Sequence, residues 1–111
     1  MHNQVSCNVY PVVLLTREIL KSFEKRYKKN PNVRSAVMNT GAMMSHGAVP
    51  FAHIYTSTKI FTDFVTMGLN YELSAINVDV SCFRPAGVAT KLIGHDGSKA
   101  EKLGATYITP T

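Results

Sequence analysis

From Val12 onward, apolar residues return at helical intervals: Val12, Leu15, Ile19, Phe23 and Tyr27 are spaced by three and four, which gathers them on one helix face. Arg17, Glu18, Lys21, Glu24 and Lys25 take the opposite side. The first ten residues carry no clear period, and Pro11 suits the first turn of this helix, where its missing N–H is tolerated. Asn30-Pro31-Asn32 stops it. Val33 to Asn39 then reads as a short strand centred on Ser35-Ala36-Val37-Met38. It lacks clean alternation, so burial on both faces is the expectation. Thr40 to Pro50 is a loop rich in Gly and Met. A second helix is predicted from about Ala52 to Leu73, with Ile54, Phe61, Val65 and Leu69 in one apolar stripe and Ile60, Phe64, Met67 and Tyr71 in a second beside it. Tyr55, Lys59, Asp63, Thr66 and Asn70 fill the remaining polar arc. Such a helix needs cover on two sides. Ile76 to Phe83 is the clearest strand: Ile76, Val78, Val80 and Cys82 alternate with Asn77, Asp79 and Ser81, the period of a half-buried strand. Arg84-Pro85-Ala86-Gly87 ends it. Gly94 to Leu103 reads as a loop with a short helix over Ser98–Leu103.

The order is therefore helix, strand, helix, strand, loop. Two strands joined by a long helix make a right-handed parallel crossover. Two strands alone do not make a stable open sheet, and the second helix displays more apolar surface than two strands cover. The fold class is α/β, a partial Rossmann-like doubly wound parallel sheet. Residues 1–111 form a single partial domain, with no internal repeat or linker.

Composition narrows the classes. Hydrophobic content of 45% with 17% charged residues is that of a globular chain rather than a disordered one. No apolar run reaches the ~18 residues of a membrane span, and the N-terminus does not follow the order of a signal peptide. Cys7 and Cys82 stand far apart, and His2, His46, His53 and His95 show no metal-ligand spacing, so no metal is expected. The net charge of +5 is concentrated in Lys25, Arg26, Lys28 and Lys29. At a helix C-terminus these cations complement the macrodipole. With no aromatic residues interleaved for stacking, nucleic acid is not the expected partner.

The chemistry lies in Tyr55-Thr56-Ser57-Thr58-Lys59. Positions i and i+4 share a helix face, and a cation beside a phenol favours the phenolate, a route to general acid/base work near neutral pH. Alone, Y-x-x-x-K is a weak signal. It stands in order with three other segments: Asn8-Val9-Tyr10-Pro11-Val12-Val13-Leu14-Leu15-Thr16-Arg17, Val37-Met38-Asn39-Thr40-Gly41, and Pro85-Ala86-Gly87-Val88-Ala89-Thr90-Lys91-Leu92. Together, from about Val5 to Leu92, they resemble the C-terminal half of a short-chain dehydrogenase/reductase. The similarity is greatest to the very-long-chain 3-oxoacyl-CoA reductases and related 17β-hydroxysteroid dehydrogenases.

The resemblance implies roles residue by residue. Tyr55 would donate a proton to the carbonyl being reduced. Lys59 would hold the ribose hydroxyls of NADP(H) and favour the phenolate. Asn8 would anchor the water that refills the proton relay. Pro85, Gly87, Val88 and Thr90 would line the nicotinamide. It also implies an acyl-CoA or steroid-like substrate, and a homodimer or partner chain docked through helices 12–27 and 52–73. The subgroup's location is the endoplasmic reticulum membrane; a chain complete as given would be cytoplasmic.

Two departures stand against these matches. The family serine lies thirteen residues before the tyrosine, where this chain has Ala42. Loss of one oxyanion donor typically costs about 10²–10³ in rate. Ser45 is the candidate replacement, with Thr40 behind it. The Gly-rich turn that receives the cofactor pyrophosphate is also absent, so a complete NADP(H) site is not expected in this chain alone. Thr40 to Gly47 imitates the turn, but Ser45 stands where the second Gly is needed. The chain is thus expected to be either the catalytic segment of a carbonyl reductase or an inactive remnant acting as a structural or dimerising partner.

Overall fold

Two parallel strands and the helix that joins them organise the molecule. The computed structural model describes residues 2–88 and a two-residue strand beyond them. The elements are α1 (His2–Lys29), β1 (Ser35–Thr40), α2 (His53–Leu73), β2 (Val78–Phe83), β3 (Gly87–Val88) and β4 (Tyr107–Ile108), with 3₁₀ turns at Met43–His46 and Ser74–Ile76. β1 and β2 pair in parallel, in register from Ser35 opposite Val78 to Thr40 opposite Phe83. β3 and β4 form a second parallel pair. This is the expected α/β arrangement, a fragment of a doubly wound sheet. The predicted helix over Ser98–Leu103 lies outside the described residues.

The core is small. Val78 (1% exposed), Val80 and Leu73 are buried, with Leu20, Phe23, Val37, Leu69 and Ile76 packed against them. Alternation in β2 held as expected, because Val78 and Val80 face inward while Asp79 and Ser81 face solvent. β1 departs from expectation. Ser35, Val37 and Asn39 are its covered side, and Met38 is 68% exposed on the other. Among the described residues its outer face is open rather than buried.

Both helices correct the sequence reading. α1 starts at His2 rather than near Val12, so Pro11 is interior. Proline there removes one i→i−4 hydrogen bond and crowds the carbonyl four residues back. Tertiary contact carries the first turns through it: Val9 and Val12 are half-buried, and the Asn8 amide reaches α2. Thr16, not Leu15 or Ile19, lies at the centre of the covered face, and Leu15 is 62% exposed.

In α2 the buried residues are Thr56, Thr58, Thr62, Asp63, Thr66 and Leu73. Much of the predicted polar arc thus faces the sheet. Threonine satisfies its own hydroxyl within a helix: Thr62 donates to the Thr58 carbonyl and Thr58 to that of Tyr55. Its methyl and small volume then pack closely. The first apolar stripe lies along the side toward α1, where Val65 and Leu69 share a small cavity with Val13 and Leu20. The second points outward, with Phe64 71%, Met67 60% and Tyr71 87% exposed.

Arg26 closes the base of the fold. Its guanidinium donates to the carbonyls of Val33, Ile76 (3.1 Å) and Asn77 (3.3 Å), tying the end of α1 to the entrances of both strands. Asn77 adopts the left-handed conformation (φ 55°), which asparagine tolerates better than most residues. Its amide donates to the Pro31 carbonyl at 2.7 Å. Among the described residues no helix is long and apolar enough to cross a membrane.

Candidate active site

Tyr55 and Lys59 occupy the first two turns of α2, and both are half-buried. The ammonium of Lys59 stands 5.7 Å from the centroid of the Tyr55 ring. It donates one hydrogen bond, 3.0 Å long, to the carbonyl of Thr40 at the end of β1. An ammonium carries three donors, so two remain unused among the described residues. The spacing in sequence thus becomes a real juxtaposition, directed toward the C-terminal ends of the strands, where ligands bind in open α/β sheets.

Asn8 joins this group from α1. It lines a cleft of about 380 Å³ with Lys59, Thr40, Met38 and Leu15. Its side-chain amide donates to Thr58 Oγ1 at 3.0 Å, and Thr58 donates in turn to the Tyr55 carbonyl at 2.7 Å. Asn8 is thereby coupled to the helical turn that presents the phenol.

Ala42 is buried, 5% exposed, and brings no donor. Ser45 lies in the 3₁₀ turn and is also buried. Its hydroxyl is 2.5 Å from Asp63 Oδ2 and 2.8 Å from the Ala42 carbonyl oxygen. A hydroxyl has one proton to give, and the carboxylate is the stronger acceptor. Ser45 is therefore engaged with Asp63. The turn from Thr40 to Gly47 is equally committed: the Met43 N–H goes to the Pro85 carbonyl (3.0 Å) and the Ser45 N–H to that of Ala42 (3.1 Å). These amides are not free to cradle a phosphate.

Pro85 follows β2 and is stitched to the 3₁₀ turn through that Met43 bond. Gly87 and Val88 form β3, opposite Tyr107 and Ile108. Thr90 lies outside the described residues.

The sequence reading missed a polar cluster at the strand ends. Asp63 is 8% exposed and accepts from Arg84 Nε at 2.8 Å and from Ser45 Oγ at 2.5 Å, with Cys82 in the same cluster. Burial pushes its carboxyl pKa up, but the hydrogen bonds from Cys82, Ser45 and Arg84, with the Arg84 charge, outweigh this and hold it below the ordinary 3.8. The Cys82 thiol moves the other way. Burial, then the hydrogen bond to Asp63 and its charge, raise it above 9.0, partly offset by Arg84 and the Gly41 backbone. Gly41 fits against this cluster because it has no side chain: a Cβ there would come 2.7 Å from Cys82 Sγ and 3.0 Å from Asp63 Oδ1. A signal for Asp63 did exist, since it lies one i+4 step beyond Lys59 on the same side of α2. Asn39 was missed as well; it is buried and donates to Thr66 Oγ1 at 2.9 Å.

Among known proteins, the chain is 28% identical over 92 residues to very-long-chain 3-oxoacyl-CoA reductase-B of Danio rerio, covering 83% of this chain and 28% of that one. It is 32% identical over 88 residues to the very-long-chain 3-oxoacyl-CoA reductase of Bos taurus, covering 79% and 26%. It is 24% identical over 95 residues to 17-beta-hydroxysteroid dehydrogenase type 3 of Danio rerio, covering 86% and 29%. It therefore spans under a third of the length of these relatives. A solved chain from Novosphingobium aromaticivorans, assigned to the short-chain dehydrogenases, superposes with a TM-score of 0.67 at 23% identity, over 95% of this chain and 41% of that one. This likeness shows a shared fold. The sequence profile described as short chain dehydrogenase matches residues 1–101, and with the Tyr55–Lys59 pair in place on α2 the chain belongs to the short-chain dehydrogenase family.

Proposed function

We propose that this chain carries the proton-donating segment of an NADP(H)-dependent carbonyl reductase acting on a 3-oxoacyl-CoA or ketosteroid class of substrate. The observation that carries this reading is the Lys59 ammonium 5.7 Å from the Tyr55 ring centroid, with two of its donors unused among the described residues. The reductase and steroid dehydrogenase names of the relatives support the substrate class.

Bound here, the nicotinamide would supply hydride; orientation and the proton come from the protein. Tyr55 gives its phenolic proton to the carbonyl oxygen as negative charge builds there. Lys59 would hold the ribose hydroxyls with its spare donors and place its positive charge beside the phenol that gives up the proton. Asn8, through Thr58, keeps the turn bearing Tyr55 in place. Gly87 and Val88 would lie beside the nicotinamide. The residues present suit the nicotinamide riboside portion of the cofactor, whereas the turn from Thr40 to Gly47 does not suit the pyrophosphate. A homodimer through α1 and α2 accompanies this function.

The test is fluorescence titration of the 111-residue chain with NADPH, with circular dichroism on the same sample. Weak binding is expected, because only the nicotinamide riboside side of the site is present, and it should be retained in Tyr55→Phe while turnover of a 3-oxoacyl-CoA falls by about 10²–10⁴, the usual weight of a general acid. A folded chain that binds no NADPH would overturn the reading. It would favour the inactive remnant, for which buried Ala42 and the engaged Ser45 hydroxyl already speak.

A further inference from the structure

The loops that leave β1 and β2 both carry candidate site residues, yet neither contains regular structure long enough to hold itself. Each is fastened instead to one side chain of α2. Asp63 receives Ser45 from the first loop, and Arg84, the first residue after β2, from the second. Cys82, at the end of β2, packs into the same cluster. Gly41 closes over the same carboxylate. Two backbone bonds complete the lattice: the Gly41 N–H to the carbonyl of Phe83 at the end of β2, at 2.8 Å, and the Met43 N–H to the Pro85 carbonyl of the second loop, at 3.0 Å. Asp63 is one helical turn past Lys59 and two past Tyr55 on the same element.

We infer that Asp63 is a positioning residue: it locks the loop carrying Ser45 and the loop carrying Pro85, Gly87 and Val88 to the helix that presents Tyr55 and Lys59. Its catalytic relevance rests on the reductase reading; the lock itself does not. The geometry explains why one residue suffices. A buried carboxylate has acceptor sites for several donors, and the ionic one from Arg84 is charge-assisted. Replacing it with an amide of the same shape removes the charge and reverses part of the hydrogen-bonding polarity, so Ser45 and Arg84 cannot both stay satisfied. Arg84 has its side chain 37% exposed, so its removal is the milder perturbation and leaves Asp63 held by Ser45.

The deciding measurement is residue-resolved amide hydrogen exchange on the full chain, comparing Gly41 and Met43 with Ser35. The Ser35 N–H bonds to the Asn77 carbonyl at the far end of the strands and serves as the internal control. Asp63→Asn is expected to speed exchange at Gly41 and Met43 by about tenfold or more, as a local opening, while Ser35 changes little. Arg84→Met should give a smaller effect at Met43, and Arg84→Lys should restore protection. If Asp63→Asn does not fold, the Arg84 pair decides. Equal acceleration at all three amides, or none at Gly41 and Met43, would overturn the inference. NADPH titration of the same variants separates the two readings. Weaker binding in Asp63→Asn alongside the local exchange effect supports both, whereas a wild-type chain without NADPH binding sinks the reductase reading and leaves the exchange result to judge the lock.

Discussion

Asp63 is the residue through which pH should act on this fold. Its carboxyl is held below 3.8 in the folded chain, whereas an unfolded Asp titrates near 3.9. A depressed folded pKa contributes stability that is fully present above the unfolded value and is lost as pH falls through the folded one. Cys82 works at the other end. Its thiol is raised above 9.0, so its contribution is complete below the unfolded thiol pKa and disappears as pH rises through the folded value. Between these limits the cluster is indifferent to pH. Urea unfolding of wild type and Asp63→Asn should therefore give a stability difference that is constant from about pH 5 to 8 and shrinks below about pH 4. A difference that persists unchanged into acid would mean that Asp63 stabilises the fold through shape alone. The exposed pair Arg34–Asp79, with side chains 66% and 55% exposed, is present in both proteins and cancels. Surface ion pairs of this kind contribute little in any case.

At the scale of elements, the two strands and both helices were legible in sequence, but the helix faces were not. Val78 and Val80 announced themselves because alternation in a strand is a local property. The covered face of α2 did not, because Thr56, Thr58, Thr62 and Thr66 count as polar on any hydropathy scale, while in the helix most of them quench their hydroxyls on their own turn. Pro11 misplaced the start of α1 for a similar reason: its intrinsic penalty is local, and what offsets it is contact with a distant helix. The Tyr55–Lys59 pair was readable as an i, i+4 motif, whereas Ser45, Cys82 and Arg84 converge on Asp63 from three separate segments with no common spacing. Arg26 was equally hidden, since a helix-terminal cation has an adequate reason to be there without any tertiary role. In the structure it serves three carbonyls at the strand entrances. Arg26→Met keeps much of the packing volume and strips those donors. It should lower stability by about 1–2 kcal/mol, the range for charged hydrogen bonds in a partly solvated setting, with an unchanged denaturant slope. A loss confined to a few tenths would show that the macrodipole, not the clamp, is its contribution.

For the whole molecule, the decisive quantity is how much apolar surface the described elements leave uncovered. Among the described residues only Val78, Val80, Leu73 and Ala42 are buried hydrophobics, while Tyr10, Leu14, Phe64, Met67 and Tyr71 are all more than half exposed. Phe64, Met67 and Tyr71 recur at intervals of three and four along α2 and form one continuous outward stripe. Soluble monomers rarely leave contiguous apolar patches of that kind open, and the hydrophobic gain from covering them favours association. The helices at issue are those through which a homodimer was expected from the sequence. Sedimentation at tens of micromolar should therefore give a dimer for wild type. The triple substitution Phe64→Ser, Met67→Lys, Tyr71→Ser should give a monomer with the same circular dichroism, because none of the three side chains contributes to the core around Val78. A charge placed in the stripe acts mainly on the associated state, since burying it unpaired there is costly whereas in the monomer it stays solvated. A wild-type chain that sediments as a monodisperse monomer would sink the dimer, and a triple variant that loses its helical signal would show that the stripe is covered within the protomer instead.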